Sequence, residues 1–168
     1  MTQVKETKSL QYYINPVPQS YVGYKKILID KLKALTGVDG SPLFSDVYGV
    51  METEPNGSPY CYVVERVGLG KILDTHRNER EWQFSIVIHQ VVDKDLPVEK
   101  SDIVILDASD RVIKSFDTDP MLLGVHGESR CKSVKVVPME FEYGNIEQPV
   151  QRSLLVVSIV DLVNRYTQ

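Results

Sequence analysis

ILDTHRNEREWQFSIVIHQ, residues 72–90, joins a polar turn to a strand of nearly perfect two-residue alternation. Even positions from Arg80 onward point one way and odd positions from Glu81 onward point the other. Beyond Arg80 the first face is apolar, whereas the second face is mostly polar. This pattern predicts a half-buried antiparallel strand. The first face comprises Arg80, Trp82, Phe84, Ile86 and Ile88, and the second comprises Glu81, Gln83, Ser85, Val87 and His89.

The polar turn does not converge on one nucleophile, base or metal, which favours a docking edge attached to a sheet. Its charges alternate in sign through Arg77, Glu79, Arg80 and Glu81. Two interpretations stay open. The charges form ion pairs within a solvated turn, each worth about 0–1 kcal/mol, or they pair across a subunit boundary and fix its register.

Composition indicates an ordinary globular protein. The 168 residues fit one domain with a sizeable core. A net charge of −4 gives no electrostatic reason to bind nucleic acid tightly.

Cys61 and Cys131 lack the paired spacing of a zinc site, and we expect both to be buried as small hydrophobic residues, as in a reducing compartment. The first ten residues lack the apolar core of a signal peptide, and no run approaches a membrane span of about 20 apolar residues, so we expect a soluble protein.

Two segments are predicted to be helical. From Tyr21 to Thr36 apolar residues recur at helical spacing, with Ser20 as N-cap and Gly37 as the terminating glycine. Pro97 fits the first position of a second helix that runs to Phe116. The inward stripes are predicted to be Tyr21, Tyr24, Leu28, Leu32 and Leu35 in the first helix and Val98, Ile105, Ser109, Val112, Ile113 and Phe116 in the second.

Two short strands are predicted before the Trp82 strand, at Asp46–Val50 and Tyr60–Val67, with a turn at Pro55-Asn56-Gly57. We expect Gly68–Arg80 to form an exposed loop or arm that is mobile in the free subunit and becomes ordered in the assembly, so that the Tyr60 and Trp82 strands make a hairpin with a projecting tip. His89, on the polar face, is predicted to be a surface histidine.

Two further strands follow the second helix. Cys131–Tyr143 changes phase at Pro138, which predicts a bulge or an edge position because proline cannot donate to a ladder. Ser153–Val163 is apolar on both faces. One face can pack on the helices, and the other needs a second cover, for which a neighbouring subunit is a candidate.

These elements predict an α+β fold with a largely antiparallel sheet, two main helices on one face and a projecting β-hairpin loop. Residues 1–18 are expected to form an extended or mobile N-terminal arm, or a disordered tail. Residues 19–168 are expected to form a single domain.

Catalytic motifs are absent from the sequence. There is no phosphate-binding glycine loop, nucleophile elbow or zinc-binding histidine pair. Asp74, His76 and Glu79 could meet and act as acid and base or bind a metal, but such a triplet is more often a solvated turn. We therefore expect no enzyme activity, no metal and no cofactor.

A family resemblance rests on Thr75-x-x-Asn78-x-Arg80-x-Trp82-x-Phe84-x-Ile86-x-Ile88 and on the order helix, β-hairpin, helix, two strands. Over residues 20–163 the chain resembles the tail terminator (tail-completion) proteins of tailed bacteriophages, including the lambda-type terminator. The Ile27-Leu28-x-x-Lys31-Leu32 helix and the Ile105–Phe116 helix also look like that family. The N-terminal arm and the Pro55-Asn56-Gly57 segment are not matched.

The resemblance implies a structural virion protein at the tail–neck junction, assembled in the host cytoplasm. A homo-oligomer, expected to be a hexameric ring, would cap the tail tube protein, end tail polymerisation and join the head connector or neck proteins. DNA would pass through the lumen without specific binding, which an acidic chain suits. The subunit or partner interface is predicted to include Thr75, Arg77, Asn78, Arg80 and Glu81. A head-completion protein on the portal side and a small hydrolytic or ligand-binding domain remain alternatives.

Overall fold

The computed structural model describes residues 20–50, 57–68, 70–72, 77–92, 98–123, 127, 129–143 and 150–164. Two helices and a six-stranded sheet make up this part of the chain. In chain order they are α1 (Tyr21–Lys33), β1 (Asp46–Tyr48), β2 (Tyr60–Arg66), β3 (Gly70–Ile72), β4 (Arg77–Val91), α2 (Val98–Asp117), β5 (Ser133–Glu142) and β6 (Val150–Asn164). The predicted N-terminal arm and the residues Pro55 and Asn56 of the predicted turn lie outside the described residues.

The sheet has the strand order β1-β2-β4-β6-β5, and β3 pairs with β4 beyond the end of β2. Every pairing is antiparallel except that of β1 with β2. The predicted α+β class with a largely antiparallel sheet is therefore confirmed. The two longest strands, β4 and β6, pair along their whole length from Arg77 opposite Asn164 to Val91 opposite Val150.

The expectation that Gly68–Arg80 forms a loop in the free subunit is wrong for most of its length. Gly70–Ile72 pairs with Asn78–Arg80, and β4 begins at Arg77, so only residues 73–76 fall between the two strands, and these lie outside the described residues. The physical reason is that the long β6 strand supplies backbone partners for the first residues of β4. Charged side chains at these positions do not oppose strand formation, because the ladder uses backbone groups.

Helix α1 begins as predicted and ends earlier. The Ser20 hydroxyl accepts a hydrogen bond from the Gly23 amide at 3.1 Å, which satisfies one of the free amides of the first turn. The C-cap is Ala34, not Gly37. The chain leaves the helix because the Leu35 carbonyl accepts from the Leu43 amide at 2.8 Å, so this segment pairs with residues beyond the helix instead of continuing it.

The core lies between the sheet and the helices. The apolar face of β4 is confirmed, because Trp82, Phe84, Ile86 and Ile88 are all buried. They pack with Tyr24, Leu28 and Leu32 of α1, with Ile105, Ala108, Val112 and Phe116 of α2, and with Leu155, Val157 and Ile159 of β6. Ala108 was not in the predicted stripe, Val98 has no described side chain, and Pro97 lies outside the described residues.

A buried polar network ties α1 to β6 within this core. The Tyr24 hydroxyl lies 2.7 Å from Asp161 Oδ2 and 2.9 Å from the Arg130 carbonyl oxygen. Burial and the adjacent Asp161 carboxylate raise the pKa of Tyr24 far above its usual value, so the hydroxyl keeps its proton. The Tyr24 ring packs on Trp82 with ring centroids 5.0 Å apart.

Strand β5 lies at the edge of the sheet and contains the predicted irregularity. The register with β6 shifts between Pro138 and Glu140, which leaves Met139 as the extra residue of a bulge. Val134 and Val136 are buried, and the shift brings Phe141 opposite Ser153. The bulge therefore returns Phe141 to the face that Val134 and Val136 share.

Both cysteines are free and buried, as predicted. Burial raises the pKa of Cys131 to about 12 and raises that of Cys61 as well, so both thiols stay protonated. In the part of the chain that the structure describes, no helix combines the length and the apolar character that a membrane crossing needs.

Candidate functional site

The face of the sheet opposite the helices, here called the outer face, is the candidate site. Residues directly opposite each other in neighbouring strands share a face, so the register identifies its members. On the two central strands these are Glu79, Glu81, Gln83, Ser85, Val87 and His89 of β4 and Arg152, Leu154, Val156, Ser158, Val160 and Leu162 of β6.

Strand β6 gives the outer face its apolar character. On the helix side, Leu155, Val157 and Ile159 are completely buried. On the outer face, Leu154, Val156 and Val160 are half-buried, and Leu162 is 36% exposed. The predicted strand with two apolar faces is confirmed for these residues, while the side chain of Val163 is not described. Neither helix covers the outer apolar row.

Of the five predicted interface residues, only Arg80 and Glu81 have described side chains. Thr75 is outside the described residues, and Arg77 and Asn78 begin β4 without described side chains. Arg80 and Glu81 are half-buried on opposite faces because successive strand residues alternate. Arg80 lies opposite Asp161 on the helix side, and Glu81, on the outer face, accepts a hydrogen bond from Gln83 Nε2 at 2.9 Å.

Glu79 connects β4 to the segment that leads into β5. Its Oε2 atom is 2.6 Å from Lys132 Nζ, so this charge pairs within the chain but outside its own turn. The two interpretations of the alternating charges, pairing within the turn and pairing across a subunit boundary, did not include Lys132 as a partner. Of the triplet Asp74, His76 and Glu79, only Glu79 is described. Among the described residues no three acidic, histidine or cysteine side chains are grouped so as to hold a metal ion.

The prediction that His89 is a surface histidine is wrong, since its side chain is only 6% exposed. Its ring packs against Tyr60 and Tyr62 of β2, with centroids 5.1 and 5.3 Å apart. His89 Nδ1 lies 3.1 Å from the Tyr60 hydroxyl oxygen. Tyr60 is the direct cross-strand neighbour of His89. The alternation along β4 predicts a solvent-exposed His89 ring, but the pairing with the distant segment β2 covers that ring.

A concavity lies beside His89 on the outer face, with a volume of about 260 Å³. Three adjacent strands line it with two rows of cross-strand neighbours. One row is Val87, Leu154 and Glu140, and the other is His89, Arg152 and Glu142. We call it the His89 concavity. Nothing in the local sequence of β4 marks it, although unlike charges near the ends of two predicted strands are a signal that could have been used.

The charges in the His89 concavity act on the His89 ring. Arg152 Nη1 lies 3.1 Å from Glu142 Oε2 in a half-exposed ion pair. Burial, and to a lesser extent the positive charge of Arg152, lower the pKa of His89 to about 4, while Glu142 acts in the opposite direction. The ring is therefore neutral at pH 7, and His89 Nε2 is buried with no hydrogen-bond partner among the residues that the structure describes.

Comparison with known proteins finds no matching family model and no matching curated protein. Among solved structures, the chain is similar to one from the virion of a native gene transfer agent particle. That alignment has 14% identity and a TM-score of 0.44, and covers 84% of this chain and 98% of the other. The function proposed for this chain therefore rests on its own residues.

Proposed function

We propose that this chain is a structural protein of a tailed-phage-like virion that forms a ring, caps the tail tube and joins it to the head connector. The observation that carries the proposal is the apolar row of β6 on the outer face, which neither helix covers. Leu154, Val156 and Val160 are half-buried and Leu162 is exposed at one end of this row. A second copy of the chain, or the last ring of the tube, would cover these side chains.

The edges of the sheet are poorly suited to pairing with another copy of the chain, which favours contact through the faces of the sheet. Strand β1 has only three residues, and short edges pair poorly with other strands. On β5, the amide of Val134 is already bonded to the Pro120 carbonyl at 2.7 Å. Pro138, further along the same edge, has no amide hydrogen to donate. Copies joined by side chains of the outer face need neither edge.

The resemblance to tail terminators supports the particular role. Trp82, Phe84, Ile86 and Ile88 of the shared pattern are core residues, so packing alone explains that half of the motif. Its distinctive part is Thr75, Asn78 and Arg80, of which Asn78 and Arg80 lie at the end of the sheet where β3 meets β4. We propose that this end, with Arg77 and Glu81, contacts a neighbouring subunit or the tube.

The net charge of −4 fits a lumen through which DNA slides, because like charges oppose tight phosphate binding. A head-completion protein on the portal side would need the same property. The tube distinguishes the two roles, since only a terminator binds the open end of a tail tube.

The test uses the full-length chain and purified tail tubes from the same virion. We expect the chain to bind tube ends as a ring and to stop further polymerisation, as observed by electron microscopy and by mass measurement with and without tubes. Leu162→Asp is expected to reduce capping at least about tenfold, because a buried unpaired carboxylate opposes the interface. Val38→Asp is the matched control, since Val38 is 88% exposed and lies off the sheet.

Both variants should keep the melting temperature of the parent within a few degrees. Capping by Leu162→Asp at the parent's level would remove the outer face from the interface. Binding to head connectors with no binding to tubes would replace the terminator role by head completion. A single isolated copy at its position in a reconstructed particle would contradict the ring.

A further inference from the structure

The His89 concavity contains a polar atom that the described residues leave without a partner. His89 Nε2 is buried and makes no hydrogen bond, although the side chain is 6% exposed and lines the concavity. Buried polar groups in folded proteins nearly always have a partner, and an exception calls for an explanation. The concavity next to the ring is the place from which a partner would come.

The tautomer of His89 determines which kind of partner fits. Nδ1 faces the Tyr60 hydroxyl at 3.1 Å. When Tyr60 donates to Nδ1, the ring proton lies on Nε2 and one donor is unpaired. In the other tautomer, Nδ1–H donates to the Tyr60 oxygen and Nε2 presents a lone pair. Only the first arrangement offers an N–H donor to an anion.

A second donor lies next to this one. Arg152 is the direct cross-strand neighbour of His89 on the outer face, so their Cβ atoms are about 5 Å apart. Among the described residues, its guanidinium pairs with Glu142, on the far side from His89. Two hydrogen-bond donors that lie on adjacent strands, separated by a gap, can each bind one oxygen of a carboxylate. The cross-strand pair Val87 and Leu154 supplies an apolar floor beside them.

We propose that the His89 concavity binds a carboxylate on a short aliphatic chain, held by His89 Nε2–H and the Arg152 guanidinium. The volume of about 260 Å³ admits such a group. The negative charges of Glu140 and Glu142 oppose the binding of an anion. This cost is limited because the ligand carboxylate takes the place of Glu142 as the partner of Arg152. The carboxylate belongs to an acidic side chain of a partner protein or to a free small acid. This inference does not depend on the ring or on tail capping.

The test uses the full-length protein and three probes of similar size, each with three carbon atoms: propionate, propionamide and propylammonium. Ring nitrogen resonances of the histidines are followed by NMR, and His89→Phe identifies the His89 signal among the three histidines. We expect propionate to shift the His89 signal with a dissociation constant on the order of 1–10 mM. Propionamide should bind at least about tenfold more weakly, and propylammonium should leave the signal unchanged.

Charge variants give opposite expected results. Arg152→Gln should abolish the response to propionate, whereas Glu142→Gln should strengthen binding about two- to fivefold because it frees the guanidinium. Arg111→Gln is the matched control, since Arg111 forms a similar exposed ion pair on α2, with Asp107. Bound propionate should also raise the pKa of His89. The other charged or titratable groups around the ring are Tyr60, Tyr62, Arg152, Glu140 and Glu142.

The source of the carboxylate is distinguished by a blocked Gly-Glu-Gly tripeptide. Tighter binding than propionate indicates a protein side chain, and equal or weaker binding indicates a free acid. If no probe gives a response at pH 7 or pH 5.5, the partner of His89 Nε2 is only a water molecule, and the proposal is overturned. A response to propylammonium, or an equal response to propionamide, would also overturn it.

Discussion

His89 shows how one residue couples the fold to pH. Its ring is buried against two tyrosines of β2 and lies beside Arg152. Both the loss of water and the nearby positive charge favour the neutral ring, which is why its pKa falls from 6.5 to about 4. In the unfolded chain the ring takes up a proton near pH 6.5.

We predict that acidification from pH 7 to pH 5 destabilises the protein through His89. Between pH 6.5 and about pH 4 the unfolded state binds more protons than the folded state, so the free energy of unfolding falls as the pH falls through this window. The expected loss is about 1–2 kcal/mol between pH 7 and pH 5. Urea unfolding at several pH values measures it. His89→Phe should flatten this dependence, and parallel curves for the two proteins would contradict the assignment.

At the scale of elements, Gly68 allows β2 and β3 to share the partner strand β4. Arg66 lies opposite Gln83 and Gly70 lies opposite Arg80, so the β2–β3 side contains one residue more than β4. Gly68 lies within this irregularity, and its amide donates to the Tyr21 hydroxyl at 2.9 Å. A Cβ atom on Gly68 would lie 1.8 Å from the Glu81 carbonyl oxygen, a backbone atom held in the sheet.

Gly68→Ala is therefore predicted to destabilise the fold by about 1–3 kcal/mol, the usual cost of forcing extra atoms into a packed site. Chemical denaturation of the purified protein gives the value. Val67→Ala is the neighbouring control, because Val67 is 89% exposed and its side chain has little packing to lose. Equal stability of Gly68→Ala and the parent would mean that the close approach to Glu81 does not exist in solution.

For the whole molecule, the sheet limits how copies of the chain can associate. Its outer strands are the three-residue β1 and the bulged β5. An exposed edge with free amides is a template for further strands, and proline and bulges prevent such pairing. Pro138 and the adjacent bulge therefore protect the longer of the two edges, and the broad outer face is left for specific contacts.

We predict that Pro138→Val increases nonspecific aggregation, because the new amide hydrogen and the β-branched side chain favour strand addition. Light scattering at matched protein concentrations measures it. Pro120→Ala is the control, since it keeps the carbonyl that accepts from the Val134 amide. If both variants scatter no more light than the parent, Pro138 has no protective role at this edge.

The sequence by itself determined the α+β class, the apolar face of β4, the N-cap of α1 and the bulge near Pro138. Each of these depends on local periodicity or on the chemistry of single residues such as Ser20 and Pro138. It misplaced the end of α1 and the Gly68–Arg80 segment, because backbone pairing with distant residues overrides local preference there.

Only the tertiary structure decided which side chains of the candidate site meet. His89 and Tyr60 are 29 residues apart, and Glu79 and Lys132 are 53 residues apart. Alternation along β4 separates its two faces, but it does not reveal which strands lie beside it or in which register. Burial of His89, the partner of Glu79 and the His89 concavity all follow from cross-strand register, which is a property of the assembled sheet and not of any single strand.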